Sequence, residues 1–367
     1  VAYLVGKYGC AAGVMISASH NPCEYNGIKI FQSTGYKLPD ETEEKIEAII
    51  LDKNYEIKTK IGGEVGKRIY CKTAVEDYIN HVVSVAEVRF DGLNIAIDTA
   101  NGSASVCAKE IFTRLGAKCH MLSDTPNGVN INLNCGSTHP EELMAFVKAN
   151  KLDLGVAFDG DADRMLAVDE NGNLVDGDKI IAICAAQMKQ DGKLAKNTAV
   201  VTVMSNMGFF KFCEENDIKC AKTAVGDRYV LERMLQKGYN IGGEQSGHVI
   251  FLDYATTGDG ELSAVKLIET VVKSGATLGS LAKIMTVYPQ VLINVPVTPQ
   301  GKLKYNNDEY IISAVQEAEM DLNGDGRVLV RVSGTEPLVR VMLEGKNIEQ
   351  ITKLGNQIAE VVKERLS

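Results

Sequence analysis

No two cysteines of this chain are spaced as C-x-x-C, and none stands in a metal-type pattern. Nine scattered cysteines, an odd number without a framework, argue against a disulfide-stapled secreted domain and for reduced thiols in a cytosolic protein. No apolar run approaches the length of a membrane span, and no secretory leader opens the sequence, so a cytoplasmic protein is expected. Positive charge is not in excess. The 39 basic residues are outnumbered by 48 acidic ones, leaving −9, which argues against nucleic-acid or acidic-membrane partners. Phosphorylated small molecules stay admissible, because a local positive pocket fits inside an acidic protein. Low-complexity tracts are absent, and no residue-level repeat survives inspection. What is present is an ordinary globular balance, 45% hydrophobic and 24% charged. At 367 residues the chain exceeds a single core, so two to four domains are expected.

From residue 91 onward, short apolar runs alternate with helical periodicity, as βα units do. Strands are expected at Leu93–Thr99, Cys119–Leu122, Asp153–Asp159, Thr198–Met204 and Cys220–Val225. Helices are expected from Asn101-Gly102 through Leu115, from Pro140, over Asp178–Met188, Phe209–Glu215 and Asp227–Gln236, and across 259–272. Met165–Asp169 with Glu170-Asn171-Gly172 reads as a hairpin arm and its turn. The tail differs. Arg327–Arg331 and Leu338–Leu343 read as paired strands, with a helix over Asn347–Arg365, which makes a small α+β domain. Boundaries are placed to give domains 1–72, 73–175, 176–289 and 290–367, with the proline-bearing Val287–Pro299 as the linker. Gly13–Ile16 reads as a buried apolar strand.

Four loops carry chemistry. Ser17-Ala18-Ser19-His20-Asn21-Pro22 follows that strand, and a serine there suits either a polar turn or a phosphoryl acceptor. Asp159-Gly160-Asp161-Ala162-Asp163-Arg164 puts three carboxylates at i, i+2 and i+4. A divalent cation resolves their repulsion, and an all-oxygen set favours magnesium over zinc; Arg164 suits a phosphate. Gly242–His248 sets Glu244, Ser246 and His248 at every second position, fit for sugar hydroxyls or for a plain turn with a satisfied histidine. Arg331-Val332-Ser333-Gly334-Thr335-Glu336-Pro337, with Arg340 beyond, offers a phosphate clamp or a charged hairpin turn. Asp321–Gly326 begins like a calcium-binding EF-hand loop, but its twelfth position is Val332, so it is a turn.

In this order the four loops resemble those of the α-D-phosphohexomutase superfamily, and within it the bacterial members that act on glucosamine phosphates. The likeness runs through GVMISASHNPCEYNGIKIF (13–31), NINLNCGSTHP (130–140), GVAFDGDADR (155–164), VGDRYV (225–230), GEQSGHVIF (243–251), TTGDG (256–260) and RVSGTEP (331–337). It implies three α/β domains, the first incomplete, and a C-terminal α+β domain. It also implies an intramolecular phosphotransferase that interconverts glucosamine 6-phosphate and glucosamine 1-phosphate through a phosphoserine and a 1,6-bisphosphate. Under the resemblance Ser19 is the phosphorylated serine, and Asp159, Asp161 and Asp163 hold one Mg2+ together with its phosphate. His20, Lys29 and Arg164 surround the transferring group. Asp227 and Arg228, with Glu244, Ser246 and His248, recognise the sugar. Arg331, Ser333, Gly334, Thr335 and Arg340 clamp the distal phosphate. Members open with a Gly-rich segment and an arginine that nothing before Val1 matches, so residues 1–72 are expected to be the least stable part. The implied partner is a sugar phosphate, with a homodimer admissible and neither nucleic acid nor membrane involved. Two alternatives stand beside this: a phosphomannomutase/phosphoglucomutase on unaminated hexoses, and a non-catalytic sugar-phosphate-binding fragment.

Overall fold

The computed structural model describes residues 1–52, 55, 57–305, 308–333 and 336–367. They form two compact units, 1–204 with 216–284, and 205–215 with 285–367.

The first unit holds three sheets. β1 (Ala12–Ser17) and β2 (Gly27–Gln32) pair antiparallel, with Met15 opposite Lys29. The second sheet contains β3 (Asn94–Asp98), β4 (Lys118–Leu122), β5 (Leu154–Phe158), β6 (Met165–Asp169) and β7 (Leu174–Val175), in the order β4-β3-β5-β6-β7. β3 runs parallel to β4 and β5, while β6 and β7 turn back as a hairpin. All of β5 is buried, which explains its unbroken apolar sequence. Leu143 and Val147 cover it from the helix Glu141–Asn150, each contributing roughly 1.5–3 kcal/mol by burial. The third sheet has β8 (Thr198–Thr202), β9 (Lys219–Thr223), β10 (Ile241–Gly243) and β11 (Val249–Phe251), in the order β11-β10-β8-β9. A buried helix, Gly260–Ser274, begins where the Asp259 carboxylate accepts from Leu262 N at 3.0 Å, and stops at left-handed Gly275.

The second unit is a three-stranded antiparallel sheet of β12 (Gln290–Pro296), β13 (Gly326–Val332) and β14 (Leu338–Gly345), in the order β12-β14-β13. The helices Glu309–Leu322 and Ile348–Leu366 share its core with Val339, Val341 and Leu343. Helix Met207–Glu215, which follows β8 in sequence, also belongs here. The Glu344 carboxylate accepts from Met207 N at 2.7 Å and from Arg327 Nε at 2.6 Å, and Arg327 lies over the Phe210 ring.

Three expectations change. The stretch taken for a linker contains β12, because Val291, Ile293 and Val295 alternate toward the core while Pro289 precedes the strand and Pro296 ends it. Gly13–Ile16 is a strand but not a buried one: Val14 is 56% and Ile16 69% exposed. Gly13 lies against Val5 of the helix Ala2–Lys7 on one face only. The helix expected from 101 to 115 is a 3-10 turn, Ser103–Val106, followed by Ala108–Arg114, broken at Cys107.

Candidate active site

Two of the four loops leave strand ends and meet. β1 delivers Ser17, and Ser19 follows with φ 54°, a left-handed conformation unusual for serine. Its N–H donates to Ser17 Oγ at 2.9 Å, and its Oγ lies 3.5 Å from Nδ1 of exposed His20. β5 delivers Asp159, and the Gly160 N–H donates to Ser19 O at 3.1 Å. The serine loop is thus fastened to the carboxylate loop. Gly160 is required for this approach, since a Cβ there would stand 2.5 Å from Ser19 O and 2.6 Å from Ile131 Cδ1. Gly160→Ala is therefore expected to cost about 1–3 kcal/mol, as overpacking does. Thermal melts would be compared with Gly66→Ala, where a Cβ meets nothing within 4 Å; equal melting temperatures would contradict the contact.

One oxygen each from Asp159, Asp161 and Asp163 lies within 4.8 Å of the others. Asp159 is fully buried, and its Oδ1 accepts from Arg164 N at 3.1 Å. Asp159 Oδ2 and Asp161 Oδ1 are buried without a hydrogen-bond partner among the described residues. Orphaned buried carboxylate oxygens converging in an all-oxygen set fit a hard divalent cation. Burial, then the charges of Asp163 and Asp161, push the Asp159 carboxyl up to about 7. Lys29, projecting from β2, binds Asp161 Oδ2 and donates to Asp163 Oδ2 at 2.7 Å. Burial opposes the charge on Lys29, but Asp163 and Asp161 outweigh it and raise its pKa. Burial likewise opposes ionisation of Asp163, which His248 and Lys29 more than reverse. Arg164 Nε has no hydrogen-bond partner among the described residues, and Asp163 Oδ1 lies 4.0 Å from it. A guanidinium with an open donor beside a cation site suits an oxyanion.

The third loop closes against the second. Met165 N donates to Gly247 O at 3.0 Å, and Gly247, at φ 93°, has no room for a side chain beside Met165 O. His248 is 3% exposed, with Nδ1 3.6 Å from Asp163 Oδ1 and Nε2 3.5 Å from Asp227 Oδ2. Burial favours its neutral form, yet the two carboxylates prevail and raise its pKa. The Gly258 N–H meets Nε2 at 3.2 Å, fixing the ring between the aspartates. Asp227 also binds Lys37; burial works against its charge, but His248 and Lys37 hold its pKa below the ordinary value. Glu244 Oε1 accepts from Gly226 N at 3.2 Å, and Ser246 is exposed. Arg228 turns away to Asp40 and, at 3.0 Å, Glu232.

The fourth loop lies in the second unit. Arg331 and Arg340 face each other across β13 and β14. Directly opposed like charges are unfavourable, so the pair is a ready anion seat. Burial and then Arg340 lower the Arg331 pKa, while Arg340 donates to Glu336 at 2.7 Å. Ser333 is buried, and its Oγ accepts from Glu336 N at 3.3 Å. Gly334 and Thr335 lie outside the described residues.

Family models match in four consecutive blocks. Phosphoglucomutase/phosphomannomutase alpha/beta/alpha domain I covers residues 1–56, domain II 76–172, domain III 176–288, and the C-terminal domain 292–361. Phosphoglucosamine mutase of Clostridium novyi (strain NT) is 51% identical over 366 residues, covering 100% of this chain and 81% of that protein. The chain belongs to the phosphoglucosamine mutase family. Another member, from Ruminiclostridium cellulolyticum, is 52% identical over 367 residues, 100% of this chain and 82% of its own length. Among solved structures, a phosphoglucomutase/phosphomannomutase family protein from Burkholderia thailandensis superposes with TM-score 0.76 at 20% identity, covering 97% of this chain and 77% of that one. N-acetylphosphoglucosamine mutase of Aspergillus fumigatus, solved with GlcNAc-6P and magnesium, gives 0.73 at 18%, covering 100% and 92%. These two likenesses are of fold.

Within this phosphoglucosamine mutase fold, the structure brings together Ser19, Lys29, Asp159, Asp161, Asp163, Arg164, Asp227 and His248. It ties Arg228 to surface carboxylates instead. One residue escaped the sequence reading: Asn132, which donates into the Ser19 loop. Its only signal was membership of the stretch 130–140.

Proposed function

We propose that this chain interconverts glucosamine 6-phosphate and glucosamine 1-phosphate, passing a phosphoryl group through Ser19 and a sugar 1,6-bisphosphate. The observation that carries this is the Gly160–Ser19 bond, which joins a strained serine to the loop of three convergent carboxylates. Asp159, Asp161 and Asp163, with the phosphate on Ser19, would hold one Mg2+. That ion, when bound, neutralises charge on the transferring phosphoryl group. Arg164, Lys29 and His20 flank the group and add positive charge or a proton-accepting nitrogen. His248, held between Asp163 and Asp227, orients the loop whose Glu244 and Ser246 face the sugar hydroxyls. Asp227 serves the same loop, and Arg228, paired with Asp40 and Glu232 here, would leave those carboxylates to reach the sugar. The Arg331–Arg340 pair, with Ser333, Gly334 and Thr335, holds the distal phosphate in either orientation of the bisphosphate. We place the protein in the cytoplasm, a location compatible with either a monomer or a homodimer.

The test is conversion of glucosamine 6-phosphate with Mg2+ and a trace of bisphosphate, set against mannose 6-phosphate and glucose 6-phosphate. Preference for the amino sugar is expected. Faster turnover of an unaminated hexose would shift the assignment to a phosphomannomutase or phosphoglucomutase, and no turnover of any would leave a binding module. The clamp gives a second expectation. Arg331→Ala should raise KM for the 6-phosphate and the 1-phosphate alike, by about 10–100-fold for a lost charged contact. An effect confined to one substrate would contradict reorientation over a shared clamp.

A further inference from the structure

Asn132 contributes no charge and no nucleophile, yet it grips the reactive loop directly. Its side chain is 93% buried, its backbone is left-handed at φ 56°, and its own N–H donates to Ala100 O at 2.9 Å, anchoring it to the loop after β3. From there Nδ2 donates to Ser19 O at 2.7 Å and to Asn21 O at 2.8 Å. Ser19 O accepts a second bond, from Gly160. A non-glycine residue in the left-handed region costs about 1–2 kcal/mol, and such strain persists only where the surroundings over-determine it. Around Ser19 the determinants are Ser17 Oγ, Gly160 N and the Asn132 amide. Only the last also fixes the far side of the turn, at Asn21.

We propose that Asn132 is a positioning residue for phosphoryl transfer at Ser19: its amide clasps the Ser19 and Asn21 carbonyls and so holds the serine in its left-handed turn on the carboxylate loop. This rests on the phosphoserine reading. In each transfer the bond between Ser19 Oγ and phosphorus breaks as a sugar oxygen–phosphorus bond forms, or the reverse, and the proton of the attacking hydroxyl ends on the oxygen that phosphorus leaves. Asn132 touches neither phosphorus nor sugar and acts only through the backbone of Ser19. Its removal should therefore slow transfer without weakening sugar binding. Misplacement by about 1 Å is enough to cost on the order of 100-fold in rate.

Two variants separate the amide from the backbone. Asn132→Gly keeps the left-handed backbone at no steric cost and deletes both donors. Asn132→Asp keeps the shape and sets a carboxylate against two carbonyl oxygens. Both are expected to lower kcat by about 10–100-fold, with KM for glucosamine 6-phosphate within about twofold of wild type. Phosphate transfer from glucosamine 1,6-bisphosphate to Ser19, followed by intact-protein mass, should slow by the same factor. Wild-type kcat in both variants would overturn the proposal, as would a rise in KM at constant kcat. A collapse of the melting temperature in both would also overturn it, making Asn132 a structural post. A wild-type chain that never takes phosphate on Ser19 sinks the phosphoserine reading and this proposal with it. A labelled wild type beside unaffected variants sinks only the role of Asn132.

Discussion

Ser19→Ala is expected to abolish turnover, by at least about 10³-fold as when a covalent nucleophile is lost, and to leave the fold intact. The Ser19 hydroxyl makes one long hydrogen bond, to His20 Nδ1 at 3.5 Å. The bonds that hold the loop run through the Ser19 N–H and C=O, which alanine keeps. Circular dichroism and thermal melts on the variant should match wild type while the coupled assay falls to background and phosphate no longer appears on the protein. Substantial turnover in a folded variant would remove Ser19 from the reaction.

Asp159→Asn is expected to have the second-largest effect and to separate metal binding from folding. Among the described residues Asp159 Oδ2 has no hydrogen-bond partner, and burial with two neighbouring aspartates lifts the carboxyl from 3.8 to about 7. A raised acid pKa means that the folded state resists ionisation. Its contribution is therefore fully favourable below about pH 4, and is lost as pH rises to about 7. Asparagine has no such loss. In the absence of metal the variant should be more stable than wild type at pH 8, by about 1–4 kcal/mol, and indistinguishable near pH 4. With Mg2+ the order reverses, because affinity falls by at least about 10–100-fold, the range for removing even an outer partner of a metal site. Chelator-treated melts at both pH values, with Mg2+ titration by calorimetry, would check both signs. A destabilised metal-free variant at pH 8 would mean that the carboxylates are not in conflict. Asp161 is a poorer probe, since its bond to Lys29 ties it to a structural partner.

The loops were legible in sequence because their chemistry is local. Asp159, Asp161 and Asp163 announce a cation by spacing alone, and the β5 run ahead of them announces a strand end. Asn132 was not legible, since an asparagine in a polar loop is ordinary until the chain brings residue 19 to residue 132. The left-handed turn of Ser19 was hidden for the same reason. β12 was hidden by its prolines, which signal a linker locally and become strand punctuation only once Val291, Ile293 and Val295 have a sheet to face. The exposure of Val14 and Ile16 could not be read from an apolar run, because hydrophobicity reports what a strand prefers and not which of its faces is covered. Arg228 carried a site expectation, and its pairing with Asp40 and Glu232 depends on a helix surface that spacing does not reveal.

The membership of helix Met207–Glu215 in the second unit has a practical consequence for dissection. The polypeptide passes between units at 204–205, 215–216 and 284–285, so the unit bearing Arg331 is not a contiguous cassette. A protein truncated after Ile284 would keep residues 205–215 but strip Glu344 from Met207 N and Arg327 from the Phe210 ring. The helix Met207–Glu215 would then lose its bond to Glu344 and the Arg327 cation over Phe210, and such a fragment should melt at a lower temperature than the intact chain.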